Sequence, residues 1–204
     1  MLKIGLTGGI ASGKSQVCRF FTELNAHIID SDKVARELFE PESPHLETLR
    51  AHFGDGIFLA NGELDRKALG KIVFSNKQQL DWLNSFTHPL INKEMKRQLA
   101  NCRSTYVILD IPLLINKQGT IPEHLKSLVD RILVVNTSLE KQIVRIMERD
   151  GITKKEALNI IGTQSTTQQK LLLADDIIDN NGSLDHLKRQ VNKLHNQYTH
   201  GTQQ

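Results

Sequence analysis

The chain has 204 residues, of which 39% are hydrophobic and 24% charged, and its formal net charge is +3. A chain of this size can bury one substantial core with a smaller inserted subdomain, and it needs no disulfide or structural metal for stability. The mild positive charge includes no dense Lys/Arg block and gives no support for nucleic acid as a partner, and no apolar stretch is long enough to span a bilayer.

The first apolar run, 3–7, predicts a β-strand, and a complete phosphate-binding motif follows it directly. The string Gly8-Gly9-Ile10-Ala11-Ser12-Gly13-Lys14-Ser15 matches G-x-x-x-x-G-K-[ST] at every position. Its glycines let successive N–H groups point at one anion, at the start of a helix predicted over 14–24. Lys14 supplies a cation for the β- and γ-phosphates, and the Ser15 hydroxyl is placed to bind Mg²⁺. The spacing favours a nucleoside triphosphate site over a chance glycine-rich turn.

The second run, 26–29, predicts the next strand, and Asp30-Ser31-Asp32 stands at its end. If the chain is still extended there, both carboxylates lie on one side. In a parallel sheet this end lies beside the phosphate loop, so an acid there can reach an acceptor hydroxyl or the metal. The alternative is that Asp30 or Asp32 only caps the following helix.

Residues 33–103 contain no convincing strand, and helical patterns cover 46–53, 66–73, 79–86 and 89–99. The segment is too long for a simple crossover. We interpret it as a helical insertion over the carboxyl edge of the sheet, where α/β proteins bind ligands. His88-Pro89 is expected to open the last of these helices, because proline is favoured in a first turn. By itself, His88 favours a capping or hydrogen-bonding role.

The third strand is predicted over 106–109 and ends at Asp110. An apolar strand that ends in an acid resembles the second nucleotide-binding motif, whose carboxylate holds Mg²⁺ directly or through water. Acids at strand ends also form turns frequently. Both interpretations of Asp110 stay open at this point.

The fourth strand is predicted over 131–135, and the helical excursion that follows it, 138–174, is interpreted as a lid. Gln142, Arg145 and Arg149 fall at i, i+3 and i+7 of its first helix, so the two arginines share the polar face. Arginines on such a face are usually only solvated. Opposite a phosphate loop they can bridge phosphates, and we expect one of the two to contact phosphate.

A weaker run, 176–178, predicts a fifth strand before Asp179-Asn180-Asn181-Gly182. The acids and amides there could read a purine base or form an ordinary turn. The last helix is expected to begin after Ser183 as its cap, and residues 200–204 to fray. It should turn four apolar residues to the sheet, namely Leu184, Leu187, Val191 and Leu194.

These elements predict an α/β fold of the P-loop type, with three layers (α/β/α) and a five-stranded parallel sheet. We expect one domain over residues 1–204. Its parts are a core of about 1–32, 104–137 and 175–200, a helical acceptor-binding insertion of about 33–103 and a helical lid of about 138–174.

Seven motifs in this order and spacing resemble those of the dephospho-coenzyme A kinases, and they cover essentially the whole chain. They are the string from Gly8 to Ser15, Asp30-Ser31-Asp32, His88-Pro89-Leu90-Ile91, Pro112-Leu113-Leu114, Arg145-x-x-x-Arg149-Asp150, Gln164 and Ala174-Asp175-Asp176-Ile177-Ile178-Asp179-Asn180. The resemblance implies transfer of the ATP γ-phosphate to the 3′-hydroxyl of the dephospho-CoA ribose, the last step of coenzyme A synthesis. It also implies an architecture like that of the nucleoside monophosphate kinases.

Carried over position by position, the resemblance makes Asp32, Lys14 and Arg145 the catalytic residues, with Asp32 as base or orienting group for the 3′-hydroxyl. The motifs and the resemblance together assign ATP to Gly8, Gly9, Ile10, Ala11, Ser12, Gly13, Lys14, Ser15, Gln16, Arg149 and Asn180, and the acceptor to Asp30, Asp32, His88 and Pro89. The motifs assign Mg²⁺ to Ser15 and Asp110. Two positions depart from the family pattern. Asn116 stands where members often carry an acid, and Gln16 replaces a common Thr.

Two alternatives remain open. One is another small-molecule or nucleotide kinase of the same architecture, although the long helical insertion is generous for a small sugar acid. The other is a nucleotide-switched binding protein, but the sequence has no Asn/Thr-Lys-x-Asp string of the kind that reads guanine. Cys18 and Cys102 fit no metal-ligand spacing, and the first strand leaves no room for a secretion signal. We therefore expect a cytoplasmic protein with reduced thiols, no membrane partner and no obligate protein partner.

Overall fold

Five parallel strands form one sheet in the computed structural model, which describes residues 1–201. They are β1 (Leu2–Gly8), β2 (His27–Asp30), β3 (Tyr106–Asp110), β4 (Arg131–Asn136) and β5 (Asp176–Asp179). Their order across the sheet is β2-β3-β1-β4-β5, and all neighbouring pairs run parallel. The predicted α/β class with a five-stranded parallel sheet is confirmed.

The strand register brings the chemically important strand ends to one edge of the sheet. Every residue of β3 is buried, as expected of a central strand in a parallel sheet. Asp30 pairs in register with Asp110, and Gly8 with Val135. The phosphate loop, Asp30 and Asp110 therefore share the carboxyl edge, the usual place for ligands in such sheets.

Helices fill the connections between the strands. They are α1 (Lys14–Glu23), α2 (Ser31–Glu37), α3 (His45–Phe53), α4 (Arg66–Ser75), α5 (Lys77–Asn101), α6 (Glu123–Lys126), α7 (Leu139–Asp150), α8 (Lys154–Ile161), α9 (Thr167–Leu172) and α10 (Leu184–His200). The chain divides into two compact units. The sheet unit comprises Met1–Asp30 and the chain from Gln98 onward, and the helical unit comprises Ser31–Arg97.

The core of the sheet unit forms where α1 and α10 pack on the strands. Phe21 of α1 and Val191 of α10 are fully buried with Ile4 and Leu6 of β1. As predicted, Ser183 caps α10, and its Oγ atom accepts from the N–H of His186 at 3.2 Å. Leu184 was expected to face the sheet, and this is wrong: it is 62% exposed, because it is the first residue of the helix. Helix α10 includes His200, and residues 202–204 of the expected frayed end lie outside the described part.

The helical unit has an apolar core of its own. Phe39, Leu49, Ile57, Leu69 and Val73 are buried there, and aromatic side chains of α5 pack against them. The indole of Trp82 stacks on the imidazole of His52, with 3.6 Å between ring centroids. This core packs α3, α4 and α5 of the unit together, along with Phe39, which follows α2.

One continuous helix, α5, replaces the two helices expected on either side of His88. Pro89 lies inside α5 and does not open a helix. Proline has no N–H to donate and normally ends or kinks a helix. Phe86 before it and Leu90 after it both pack against the core of the helical unit. Packing on both sides of the proline thus outweighs one lost hydrogen bond.

The chain is not extended at Asp32, so the expectation based on strand alternation fails. Strand β2 ends at Asp30, and α2 begins at Ser31. Asp32 is therefore in the first turn of a helix, where a carboxylate is favoured by the helix dipole. Among residues 1–201, no helix combines the length and the hydropathy that a membrane crossing requires.

Candidate active site

The phosphate loop turns from β1 into α1 with two residues in the left-handed region. Ala11 has a φ of 56° and Gly13 a φ of 89°. A side chain at Gly13 would be strained at this φ, and its Cβ atom would press on Nδ2 of Asn180. Gly13 is also the N-cap of α1, and no side chain accepts a hydrogen bond there. The first N–H groups of α1, at the positive end of the helix, are therefore available to an anion.

The carbonyl groups of the loop are bonded by side chains from distant parts of the sheet unit. Arg145 Nη1 donates to the carbonyl of Ala11 at 3.0 Å. The carbonyl of Ser12 accepts from Thr137 Oγ1 at 2.8 Å and from Asn180 Nδ2 at 2.7 Å. These bonds fix the loop conformation without a nucleotide, so the loop is preorganised for its ligand.

Two glutamines complete the support of the loop. The N–H of Ile10 donates to Gln164 Oε1 at 3.0 Å. Gln142 is 3% exposed, and its Nε2 donates to the carbonyl of Thr137 at 2.8 Å. A Cβ atom at Gly9 would come within 2.6 Å of Gln142 Oε1, so the backbone and this amide are in close contact. Both amides contact the phosphate loop, and both belong to the helical segment that follows β4.

The carboxylate of Asp110 is held by two residues one turn apart in α1. Lys14 Nζ forms an ion pair with Asp110 Oδ1, and Cys18 Sγ donates to Oδ2 at 3.4 Å. The Lys14 and Asp110 side chains are only 17% and 11% exposed. Burial first, and the charge of Asp110 second, raise the pKa of the Cys18 thiol. The thiol therefore stays protonated and serves as a donor.

Ser15 and Asp110 together offer a donor set that fits Mg²⁺. This ion takes one or two protein oxygens and completes its shell with waters and substrate phosphates. Ser15 is exposed in the first turn of α1, and Asp110 ends β3 at the same edge of the sheet. In residues 1–201 no cluster of three or more His, Cys, Asp and Glu side chains could hold a metal ion without a substrate.

The two arginines of α7 have different partners. Arg145 contacts the loop at Ala11, whereas Arg149 forms a two-bond ion pair with Asp150, at 2.7 and 2.8 Å. The hydrogen bonds that it donates to the Asp150 carboxylate raise the pKa of the Arg149 guanidinium. The two arginines of this polar face thus differ in environment: Arg145 lies on the phosphate loop, whereas the Arg149 side chain is 57% exposed at the surface.

A buried lysine lies in the segment that carries Gln164. Lys170 of α9 is 3% exposed, and its ammonium donates to the backbone carbonyl of Ser165. Ser165 Oγ donates in turn to the carbonyl of Ile115 at 3.2 Å. Burial lowers the pKa of Lys170. The segment is therefore fixed on one side to the phosphate loop and on the other to the loop after β3.

The acceptor-side candidates lie in different elements. Asp30 ends β2, Asp32 is exposed in the first turn of α2, and His88 and Pro89 lie within α5. On α2, Arg36 Nε donates to the backbone carbonyl of Asp32 at 3.2 Å. This places Asp32 and Arg36 on the same face of one helix.

Comparison with known proteins identifies the family. Residues 2–186 match the dephospho-CoA kinase family model. The chain belongs to the dephospho-CoA kinase family. A dephospho-CoA kinase of Legionella pneumophila is 45% identical over 195 residues, 96% of this chain and 94% of that protein. A crystal structure from Thermus thermophilus aligns with a TM-score of 0.80 at 28% identity over 96% of this chain and 97% of the other.

The dephospho-CoA kinase from Campylobacter jejuni has the same fold, with a TM-score of 0.71, 27% identity and 98% of both chains covered. The predicted activity is thereby confirmed: the chain is an ATP-using kinase that completes coenzyme A synthesis. Dephospho-CoA kinase membership also favours this activity over both alternatives, another small-molecule kinase and a nucleotide-switched binding protein.

The position that departs from the dephospho-CoA kinase pattern after Pro112-Leu113-Leu114 has a structural role. Asn116 Oδ1 accepts from the N–H groups of Gln118 and Thr120, at 3.1 and 3.0 Å, and closes a turn. The other departure, Gln16, lies in α1, and its N–H donates to the carbonyl of Gly13. Neither residue alters the bonds that hold the phosphate loop.

Sequence reasoning missed Thr137 and did not foresee what Gln142 does. Thr137 follows β4 directly, and a polar residue at a strand end is the only signal it gives. Gln142 was noted for its helical spacing, but its burial against Gly9 depends on packing over a long sequence separation. Cys18 was expected to be a reduced thiol. It is half-buried and bonded to Asp110.

Proposed function

We propose that this protein transfers the γ-phosphate of ATP to the 3′-hydroxyl of the dephospho-CoA ribose, with Mg²⁺, in the cytoplasm. The observation that carries the proposal is the structure of the phosphate loop. The helix N-terminus next to Lys14 has no side-chain cap, and the carbonyls of Ala11 and Ser12 accept hydrogen bonds from the side chains of Arg145 and Thr137. In phosphoryl transfer, rate comes mainly from in-line positioning and from neutralisation of charge. A loop fixed in advance serves both purposes.

On the donor side, residues 8–16 wrap the ATP phosphates. Lys14 leaves Asp110 and turns its ammonium to the β- and γ-phosphates, where charge develops. Cys18 keeps its hydrogen bond to Asp110 during this exchange and holds the carboxylate in place. Asn180 keeps the loop in shape through the carbonyl of Ser12 and thereby contributes to ATP binding.

Ser15 would hold Mg²⁺ through its hydroxyl and Asp110 through its carboxylate. When bound, the ion would neutralise phosphate charge. Arg145, already at the loop, is proposed to stabilise the charge of the transferred phosphoryl group. Arg149 exchanges Asp150 for an ATP phosphate, since guanidinium groups bind phosphate with two parallel bonds.

On the acceptor side, we assign the proton of the 3′-hydroxyl to the carboxylate of Asp32. The exposed Asp32 can accept it as a general base or orient the hydroxyl for attack. Asp30, His88 and Pro89 are proposed to contact the acceptor. Exclusion of water from the complex prevents hydrolysis of ATP as a competing reaction.

The test offers the purified protein Mg-ATP with dephospho-CoA, adenosine, a nucleoside monophosphate and gluconate in separate reactions. Phosphorus NMR then assigns each new phosphate. We expect a 3′-phosphate on CoA as the dominant product, and K14A protein serves as the control without transfer. A dominant product from another acceptor, or no 3′-phosphorylated CoA, would contradict the proposal.

A further inference from the structure

Two arginines of the helical unit, Arg36 on α2 and Arg66 on α4, form no ion pair with an acid in the part of the chain that the structure describes. Arg66 Nη2 donates to the backbone carbonyl of Arg36 at 2.9 Å, and Arg36 Nε donates to the carbonyl of Asp32 at 3.2 Å. Across residues 31–97, neither guanidinium forms an ion pair with a carboxylate, whereas Arg50 pairs with Asp55 and Arg97 with Glu94. Two exposed cations are thus held close together by backbone acceptors alone.

The pair is electrostatically unfavourable without an anion. Partial burial first, and the positive charge of Arg36 second, lower the pKa of the Arg66 guanidinium, while Glu40 acts weakly in the opposite direction. Like charges at short range destabilise each other, and an anion bound by both removes this cost. The planar fork of a guanidinium matches the oxygens of a phosphate group. The chemistry therefore indicates a phosphate or diphosphate as the missing partner.

Of the two arginines, Arg36 lies close to Asp32 along the chain, because both residues belong to helix α2. Asp32 and Arg36 are four residues apart on α2, so they lie on one face, separated along the axis by one turn of about 5.4 Å. The acceptor ribose carries a 3′-hydroxyl at one end and a 5′-linked diphosphate at the other. A carboxylate and a cation pair one helical turn apart match these two ends of a single sugar.

We propose that Arg36 and Arg66 bind the diphosphate of dephospho-CoA and so present the 3′-hydroxyl to Asp32. This inference rests on the proposed function, because it places the acceptor on the surface formed by Asp32, Arg36 and Arg66, here called the Asp32 surface. ATP also carries phosphates and is the other source of the same ligand chemistry. The two sources are separated by measuring the affinity for each ligand independently.

The test compares Arg36→Gln and Arg66→Gln with wild-type protein. Calorimetry measures Kd for dephospho-CoA, for adenosine and for ATP, and steady-state kinetics gives KM and kcat for the dephospho-CoA reaction. Arg36→Gln is the cleaner variant, because Arg66 bonds to the backbone of residue 36 and not to its side chain. Loss of one charged hydrogen bond predicts a Kd for dephospho-CoA raised about tenfold or more, with the affinities for adenosine and ATP changed much less.

Arg97→Gln is the matched control, since Arg97 is exposed in the same unit but is fully paired with Glu94. It should bind dephospho-CoA like the wild type. Arg36→Lys and Arg66→Lys should recover part of the affinity, because they keep the charge but lose the fork. Thermal unfolding of each variant checks that the helical unit is folded.

Three results would overturn the inference. The first is unchanged affinity for dephospho-CoA in both glutamine variants. The second is a loss of equal size for adenosine and dephospho-CoA, and the third is a loss for ATP instead, because in both cases the cations do not bind the acceptor diphosphate. Failure of the proposed function is distinguishable, since it appears in the wild-type protein as the absence of 3′-phosphorylated CoA.

Discussion

In the phosphate loop the backbone is held by side chains, whereas in the helical unit two cationic side chains are held by the backbone. The carbonyls of Ala11 and Ser12 are bonded by residues far away in sequence, among them Arg145 and Asn180. The guanidinium groups of Arg36 and Arg66 donate to carbonyl groups of α2. In the first region the Ala11 and Ser12 carbonyls are bonded without a ligand, and in the second the positive charge is left without an ion-pair partner among residues 1–201.

This difference indicates how binding energy is used in the two regions. A loop that is fixed in advance loses little entropy when phosphate binds, so its N–H groups and Lys14 act at full strength. Two neighbouring cations without an ion-pair partner gain the most binding free energy when an anion binds to both. We therefore expect changes in the loop to impair ATP binding, transfer and stability together, and changes on the Asp32 surface to act on the acceptor and on turnover.

The largest effect is expected from Lys14→Ala. The variant removes the cation aimed at the phosphates and leaves the buried Asp110 without its ion-pair partner. We expect kcat/KM to fall by roughly 10³-fold, with ATP affinity reduced as well. Steady-state kinetics and calorimetric titration of ATP measure both. Lys188→Ala, which breaks a surface pair with Glu23, is the control. Unchanged ATP affinity and rate would contradict the assignment of the phosphate loop and Lys14 to ATP.

Asp32→Asn tests the other region. The amide keeps the size of the side chain but cannot accept the hydroxyl proton, so kcat should fall by roughly 10²-fold or more while ATP affinity is retained. Asp81→Asn, which changes an exposed acid paired with Lys77 in the same unit, should have no such effect. Near-normal turnover in the Asp32 variant would remove this carboxylate from the mechanism.

The sequence was sufficient for the donor half of the site because its signals are local. A strand, a glycine-rich turn and a helix start follow each other within fifteen residues, and Gly13 has the left-handed φ that such a turn needs. The five strands were each predicted within a residue or two, because β-branched runs between helical patterns are distinctive. Ser183 as a cap is an equally local signal.

Contacts between distant residues were not predictable in the same way. Pro89 reads as a helix start, yet apolar packing on both sides keeps α5 continuous. The sequence predicts an extended chain at Asp32, but helix α2 begins one residue before it. The partners of the loop, such as Thr137 and Gln142, are over a hundred residues away from it, and only the folded sheet brings them together. The roles assigned to Asp32, Arg149 and His88 stay predictions.

A third prediction separates backbone strain from side-chain contact in the loop. Gly13→Ala places a Cβ atom at a φ of 89° and against Asn180, so the free energy of unfolding should fall by about 2 kcal/mol or more. Gly62→Ala is the matched control, because Gly62 has a φ of 84° but nothing within 4 Å of its Cβ position. Urea denaturation should show the smaller loss for Gly62→Ala. Equal losses would mean that Asn180 simply moves away and does not hold the loop.

The smallest expected effect concerns Lys170, whose ammonium is buried beside a backbone carbonyl. Because burial lowers its pKa, the unfolded chain holds this proton more tightly than the folded one. Wild-type stability should therefore rise as the pH increases from the lowered pKa towards the ordinary lysine value. Lys170→Met does not bury a positive charge and should be more stable than the wild type at pH 7, by about 1 kcal/mol. This gain in stability should become smaller at alkaline pH. Lys155→Met, at an exposed position of α8, should show no such pH dependence. A stability gain that stays constant with pH would show that packing, and not the buried charge, distinguishes the two side chains.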